Sequence, residues 1–283
     1  MKRILLSGLI IVLSPIWANW TRMNTLMVGD YIDDPVNIDI YPQHINIFPN
    51  AFYGDILFSH TDYGVVITPI EKYGGIAFWQ HKNFNIGYGI IVKKFELGIM
   101  GSPVKDRNRL GAGIGYSTFN SRIDFSGIIN NETNVNEGYN FNLRLLRRMS
   151  EYIVIPRYSL GIQFEPYDYQ SHNVGLTLQR LILNDGFIFL GMECLLREGD
   201  IDADFAYCFA GFELPLNRTF CLRMGAREEF DQDLIPTGWQ FEPGIGLRIK
   251  EFNIDFHLNQ ERLFDKDTTF FCSFGLNLDF GRF

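Results

Sequence analysis

From Phe270 onward the chain reads F-F-C-S-F-G-L-N-L-D-F-G-R-F. Phe270, Cys272, Phe274, Leu276, Leu278 and Phe280 share one parity. Thr269, Phe271, Ser273, Gly275, Asn277, Asp279 and Gly281 share the other, and all of these but Phe271 are small or polar. Successive side chains of a strand point to opposite faces, so the stretch predicts a strand with one oily and one wet side. The same period returns upstream. Ile86, Tyr88 and Ile90 alternate with Gly87 and Gly89, and Leu110, Ala112, Ile114 and Tyr116 with Gly111, Gly113 and Gly115. Val174, Leu176 and Leu178 alternate with Gly175, Thr177 and Gln179, and Phe252, Ile254, Phe256 and Leu258 with Asn253, Asp255 and His257. No helical period competes over a useful length, which predicts an all-β chain in one domain after its leader.

Connections alternate in length. Working back from the C-terminus, Asn259–Thr268 is long and Lys250–Glu251 tight. Phe230–Thr237 is long and Leu214–Arg218 short, Glu165–Ser171 long and Arg148–Glu151 short, Ile129–Glu137 long and Thr118–Ser121 short, Ser102–Asn108 long and Lys93–Lys94 tight. Short turns at one end, longer loops at the other, an outward apolar face and a polar interior belong to transmembrane up-and-down antiparallel β-barrels. Continued to Phe52, the series gives about 14–16 strands on the even-number rule for such barrels. Tyr152, Tyr158, Phe164, Tyr167, Tyr169, Trp239 and Phe241 lie near predicted strand ends, where interfacial girdles would form. A soluble secreted β-sandwich is the alternative, because its strands alternate too.

At the other end Lys2 and Arg3 precede an apolar run, Ile4 to Leu13, followed by Ser14, Pro15 and Ala18. This is the pattern of a removable signal peptide over residues 1–18, cut after Ala18. The run falls short of the roughly 20 residues that span a bilayer. Residues 19–50 read as an irregular periplasmic or hatch segment, and residues 51–283 as the barrel. With 26 Phe, 13 Tyr and 27 Gly the chain is rich in the residues such barrels use. Its net charge of −8 disfavours a nucleic-acid partner, which needs a basic face. The expected location is the outer membrane of a Gram-negative-type bacterium. The expected partners are outer-membrane lipid, the barrel-assembly machinery and a small-molecule ligand whose identity the sequence leaves open.

The chemistry is sparse. Glu96, Arg122, Asp124, Arg144, Arg223, Arg227, Arg248, Asp255, His257 and Asp279 all fall on the polar parity. A lipid-facing Arg at mid-depth costs about 2–4 kcal/mol, so these residues are expected to point inward. There they would line a lumen and touch a ligand, or pair with one another. Asp255 and His257, two apart, could orient an imidazole. No nucleophile elbow accompanies them, so no enzyme activity, catalytic residue or cofactor is expected. Asp30, Asp33 and Asp34 lack the spacing of a calcium loop and predict a turn or cap network, with no metal. Cys194, Cys208, Cys221 and Cys272 show no zinc spacing and are expected to be free and packed.

Two resemblances add to this. A last strand ending on Phe resembles the C-terminal strand of outer-membrane barrels, which implies that Phe280 and Phe283 form an assembly signal. The segment from Val28 to Gln43, with Asp33-Asp34-Pro35 and then Pro42, resembles the N-terminal signature of the long-chain fatty-acid transporter (FadL-type) superfamily and its type IX secretion relatives (PorV/PorQ-type). Tyr41 and Gln43 stand where that signature has Asn and Ala. The resemblance implies a fourteen-stranded barrel with Asp33, Asp34, Pro35 and Pro42 in a hatch inside it. It also implies uptake of hydrophobic molecules or shuttling of secreted proteins. Set beside the bottom-up reading, it favours a passive conduit or binding protein. The competing function is a non-conducting accessory barrel of a secretion or envelope machine.

Overall fold

The computed structural model describes residues 19–280 except 49, 58–60, 82, 105–106, 133–135 and 183–185. Residues 1–18, expected to be a leader, and Phe283 lie outside the described residues. The strands are β1 (Ala51–Leu57), β2 (Thr61–Ile67), β3 (Gly75–His81), β4 (Asn83–Val92), β5 (Phe95–Ser102), β6 (Arg107–Ser117), β7 (Ser121–Glu132) and β8 (Asn136–Met149). They continue with β9 (Tyr152–Glu165), β10 (Tyr169–Leu181), β11 (Phe187–Gly199), β12 (Ala203–Pro215), β13 (Phe220–Phe230), β14 (Pro236–Ile249), β15 (Phe252–Leu258) and β16 (Phe271–Asp279). Each pairs antiparallel with its sequence neighbours, and β16 closes on β1 from Ala51↔Asp279 to Leu57↔Ser273. The result is a closed barrel of sixteen strands, two more than the hatch resemblance implies.

Faces follow parity. Leu190 on β11 and Leu110 on β6 are each 62% exposed, while inward Asp124, Ser126 and Arg144 are 0% exposed. On β11 the outward residues from Ile188 to Leu196 are apolar or Cys, and the run ends at Glu198. In register with it, the outward run of β12 ends at Asp204 and that of β13 at Glu228. Nine residues at about 3.3 Å each, tilted by about 40°, make a belt roughly 20 Å tall, close to the apolar band of a membrane barrel.

Tight turns occur where they were expected. Lys93, Ser150 and Lys250 take positive φ of 62°, 59° and 55°, the left-handed conformation that two-residue hairpins demand. The long connections are mostly shorter than their polarity suggested. Much of Ile129–Glu137 is strand, β7 running to Glu132 and β8 starting at Asn136. A ladder needs only backbone donors and acceptors, so polar stretches continue it beyond the apolar belt. The connection after β15 stays long and holds a 3₁₀ turn at Gln260–Leu263. The wall is therefore uneven: β8, β9 and β14 have 14 residues, β1, β2, β3 and β15 have 7.

Two details of facing differ from simple alternation. A register shift pairs His257 with Ser273 but Leu258 with Phe271, leaving Cys272 as a bulged residue. Beyond the bulge Phe271 turns outward against Phe256, ring centroids 5.4 Å apart, which accounts for the aromatic that broke the polar parity. Tyr169 does not join the outer girdle. It shares parity with Asn173 and Gly175 and lies under the Arg197 guanidinium, 4.7 Å from the ring centroid.

Candidate functional site

A sixteen-stranded barrel is wide enough to leave an aqueous channel. Here the N-terminal segment occupies it. Helix α1 (Trp20–Leu26) packs against β12–β16 and β1, and a 3₁₀ turn at Pro42–Asn46 packs against β3–β6, so the segment crosses the lumen from wall to wall. The helix forms because the Asn19 side chain caps it, accepting the Arg22 N–H, and it stops at Met27 with φ 53°. The later turns begin on Pro35 and Pro42, whose fixed φ and missing N–H suit a first helical position. Seven helical residues are too few to show a period, which is why the sequence read this part as irregular.

The segment brings its own apolar core. Leu26, Ile38 and Ile45 are fully buried against inward wall residues that include Trp79, Ile128, Phe187, Phe189 and Phe209. The inward glycines make room. A Cβ on Gly98 would run into the Pro42 backbone, and one on Gly225 into that of Leu26. The glycine alternation of β4–β6 thus marks where the segment docks.

Buried ion pairs complete the attachment. Arg144 Nη2 meets Asp33 Oδ1 at 2.5 Å and Asp124 Oδ2 at 2.8 Å, and its Nη1 donates to the Asp30 carbonyl at 2.7 Å. Arg122 reaches Asp124 at 2.9 Å and Glu96 at 3.1 Å. His44 Nε2 lies 3.3 Å from Asp124, and Arg144 sits over the Tyr41 ring, 5.0 Å from its centroid. Across the lumen a second network gathers on Glu213, which accepts from Arg22 at 2.6 Å, Arg223 at 2.7 Å and Arg248 at 3.1 Å. Arg223 also pairs with Asp255, Asn19 donates to Asp255 at 2.9 Å, and Arg22 stands 3.5 Å from Asp34. A third joins Arg157 to Asp30 at 2.5 Å and to Glu193 at 3.4 Å, with the Tyr31 hydroxyl donating to Glu193 at 2.9 Å. Arg109 and the Trp79 indole both hold Asp39.

These surroundings set the protonation of the segment. Burial drives the His44 imidazole down to about 4 and the Arg122 charge adds to that, against the pull of Asp124, so His44 is neutral at pH 7. Burial would raise Asp33, but Arg144 and Arg122 outweigh it and hold the carboxyl below its ordinary value. Asp34 is pushed up to about 8 by burial despite Arg22.

All ten charged residues singled out by parity face inward, and seven assemble into the first two networks: Glu96, Arg122, Asp124 and Arg144 in one, Arg223, Arg248 and Asp255 in the other. His257 pairs with Glu242 of β14 at 2.6 Å and not with Asp255, which Arg223 and Asn19 occupy. Arg227 lies 3.7 Å from the Tyr207 ring centroid, and Asp279 stands opposite Ala51 at the terminal end. The three aspartates near Pro35 do not converge on one point but serve Arg157, Arg144 and Arg22. Sequence reasoning passed over Glu213, Arg157, Glu193 and Arg109, although their parity matches that of the others. Nothing in the sequence marked Arg22, Asp39 or His44 as their partners. All four cysteines are free, and Cys208 is exposed on the outward face instead of packed.

Towards the far end the inward side chains are partly open. Asn140, Asn142, Ser159, Ser171, Tyr207 and Arg227 are half-buried and line a cup walled by the tall strands β8–β13. No protein-family model and no curated protein matches the chain. Among solved structures, a bacterial polysaccharide outer membrane secretin superposes with TM-score 0.56 at 10% identity, covering 82% of this chain and 97% of that one. OmpT, an outer membrane protein of Vibrio cholerae, gives TM-score 0.49 at 8% identity over 80% of this chain and 95% of that one. CdiB from Acinetobacter baumannii gives 0.42 at 11% over 81% and 59%. At such identity the first shows a shared fold and nothing finer, and the other two add no weight. The chain folds as an outer-membrane-type β-barrel.

Proposed function

We propose that the protein is an outer-membrane barrel that holds small molecules in its cup and passes them when the N-terminal segment shifts. The observation that carries this is a separate, folded segment seated across the lumen by side-chain contacts, below a cup lined by amides, hydroxyls and aromatics. The ligand in this reading is amphiphilic or hydrophobic. Phe187, Phe189 and Phe209 lie on the inner wall in one apolar cluster with Tyr31 and Leu26, and a shift of the segment would bare them. The resemblance of the Asp33-Asp34-Pro35…Pro42 stretch to hatches of hydrophobic-molecule transporters agrees with that. The inner wall carries both signs of charge, which favours no simple ion selectivity. Outer-membrane lipid and the barrel-assembly machinery, reading Phe280 and Phe283, are the remaining partners. The reading is passive transport, without catalysis.

Proteoliposomes test it. The full chain should admit a small sugar slowly, and a variant lacking residues 20–46 should swell the vesicles quickly. Equal swelling by the two proteins contradicts a segment that closes the lumen. A non-conducting accessory barrel is the second reading, favoured by the three buried ion networks that tie the segment down. Long-chain alkyl carboxylate taken up faster by vesicles holding the full chain than by empty ones supports transport; no difference supports the accessory role.

A further inference from the structure

Counted as ionised carboxylates, the acids of the second network outnumber its cations by one, and burial pushes Asp34 up towards its neutral form. Asp34, Asp55, Glu213 and Asp255 are buried, each 3% exposed or less. The cations among them are Arg22, Arg223 and Arg248. Asp55 has no cation within ion-pair distance among the described residues. Its two oxygens accept the backbone N–H groups of Trp20 and Thr21, both at 2.8 Å. A buried carboxylate served only by neutral donors is costly unless a charge stands nearby.

The chain enters this network at Asn19. That residue is 0% exposed and its side chain donates to Asp255. Consecutive backbone nitrogens lie at most about 3.7 Å apart with standard bond lengths. Since the Trp20 nitrogen is 2.8 Å from Asp55 Oδ2, the Asn19 nitrogen is within about 6.5 Å of that oxygen, near enough for a charge there to act strongly.

We propose that the missing cation is the α-ammonium of Asn19, released inside the barrel wall's network when the leader is cut after Ala18. This rests on the leader reading of residues 1–18. A signal-peptidase-class hydrolase adds water across the Ala18–Asn19 bond; the hydroxyl goes to the Ala18 carbonyl and the hydrogen to the Asn19 nitrogen, which takes up one proton from solvent. With that charge in place four carboxylates can stand ionised beside four cations, and Asp34 no longer needs to keep its proton. Processing thereby completes the seating of the N-terminal segment, and an uncut chain carries an uncharged amide at the same point.

The wild-type protein, purified from membranes in detergent, tests this by mass and by acetylation. The intact mass should show a chain beginning at Asn19 with a free amine. On treatment with an N-hydroxysuccinimidyl acetate, Lys93 and Lys94 in their exposed turn should react at least about tenfold faster than the α-amine, which reacts fully only after unfolding. A chain that begins elsewhere overturns both the leader reading and this inference. A chain that begins at Asn19 but acetylates there as fast as at Lys93 overturns this inference alone. The pH profile of the same reaction reads the charge. A midpoint above the ordinary α-amino range of about 7.7–8.0 supports pairing with the carboxylates, and one below it rejects pairing. Asp55→Asn should lower that midpoint; an unchanged midpoint means that Asp55 is itself neutral and the ammonium has no role there.

Discussion

The barrel wall and the segment inside it are built on opposite terms. The wall turns its oily face outward and pairs its strands in ladders that, apart from the β1–β16 seam, join neighbours in sequence. The segment turns its oily residues towards the inner wall and is fixed by contacts that reach across the chain, such as Asn19 to Asp255 or Arg22 to Glu213. One is specified by a repeating local rule, the other by pairs of residues up to 252 positions apart, Thr21 with Ser273. The wall should therefore tolerate many changes that keep parity, and the segment few changes that break a pair.

The largest effect is expected where the two regions share charges. Arg144→Met would leave Asp33 and Asp124 buried with only Arg122 between them, and removal of one member of a buried pair typically costs about 3–5 kcal/mol. Urea unfolding of the detergent-solubilised protein measures this, and a change near zero would mean that the networks do not hold the segment. Next comes the outer belt. Leu190→Arg should destabilise by roughly 2–4 kcal/mol if the residue meets lipid at mid-depth, read by the same unfolding in bilayers.

How much of this was legible in the sequence divides along the same line. The strands, the closure, and the inward placement of Arg122, Asp124, Arg144 and Arg223 followed from parity, because a lipid face punishes every misplaced charge. The contents of the lumen did not. Asn277 lies on the parity read as wet, but it is 1% exposed, two residues from Gly275, where a Cβ would run into Asn19 of the segment. Asp255 and His257 looked like a pair because they are two apart, yet their partners sit on other strands and in the segment. Contacts between elements carry no period, so only the inward glycines, Gly98 and Gly113 among them, left a trace of the docking.

Acid should loosen the segment through His44. Its folded value of about 4 lies below the ordinary 6.5, so a released segment takes up a proton that a seated one refuses, and seating weakens as pH falls through that window. The loss amounts to about 2 kcal/mol at pH 5. Asp34, raised to about 8, works the other way, since its cost on seating shrinks as pH falls from 8 towards 4. His44→Gln isolates the imidazole: the difference in stability between pH 7 and pH 5 should be more destabilising in the wild type than in the variant, and identical pH profiles would remove His44 from the account. The smallest effect belongs to the open end. Gln240, inward and exposed on β14, should accept Arg with a change of about 0.5 kcal/mol or less.

Facing is the claim on which everything else stands, and β12 tests it where neither side is blocked. By register Ala206 and Cys208 point outward, while Phe205 and Tyr207 point into the half-open cup. A fluorophore carried on a single cysteine at each of these four positions, with the other cysteines replaced, can be exposed in turn to a lipid-borne and a water-soluble quencher. Positions 206 and 208 should respond to the lipid-borne quencher and positions 205 and 207 to the aqueous one. Uniform quenching along the strand, or the reverse alternation, would contradict a membrane barrel with its polar face inside.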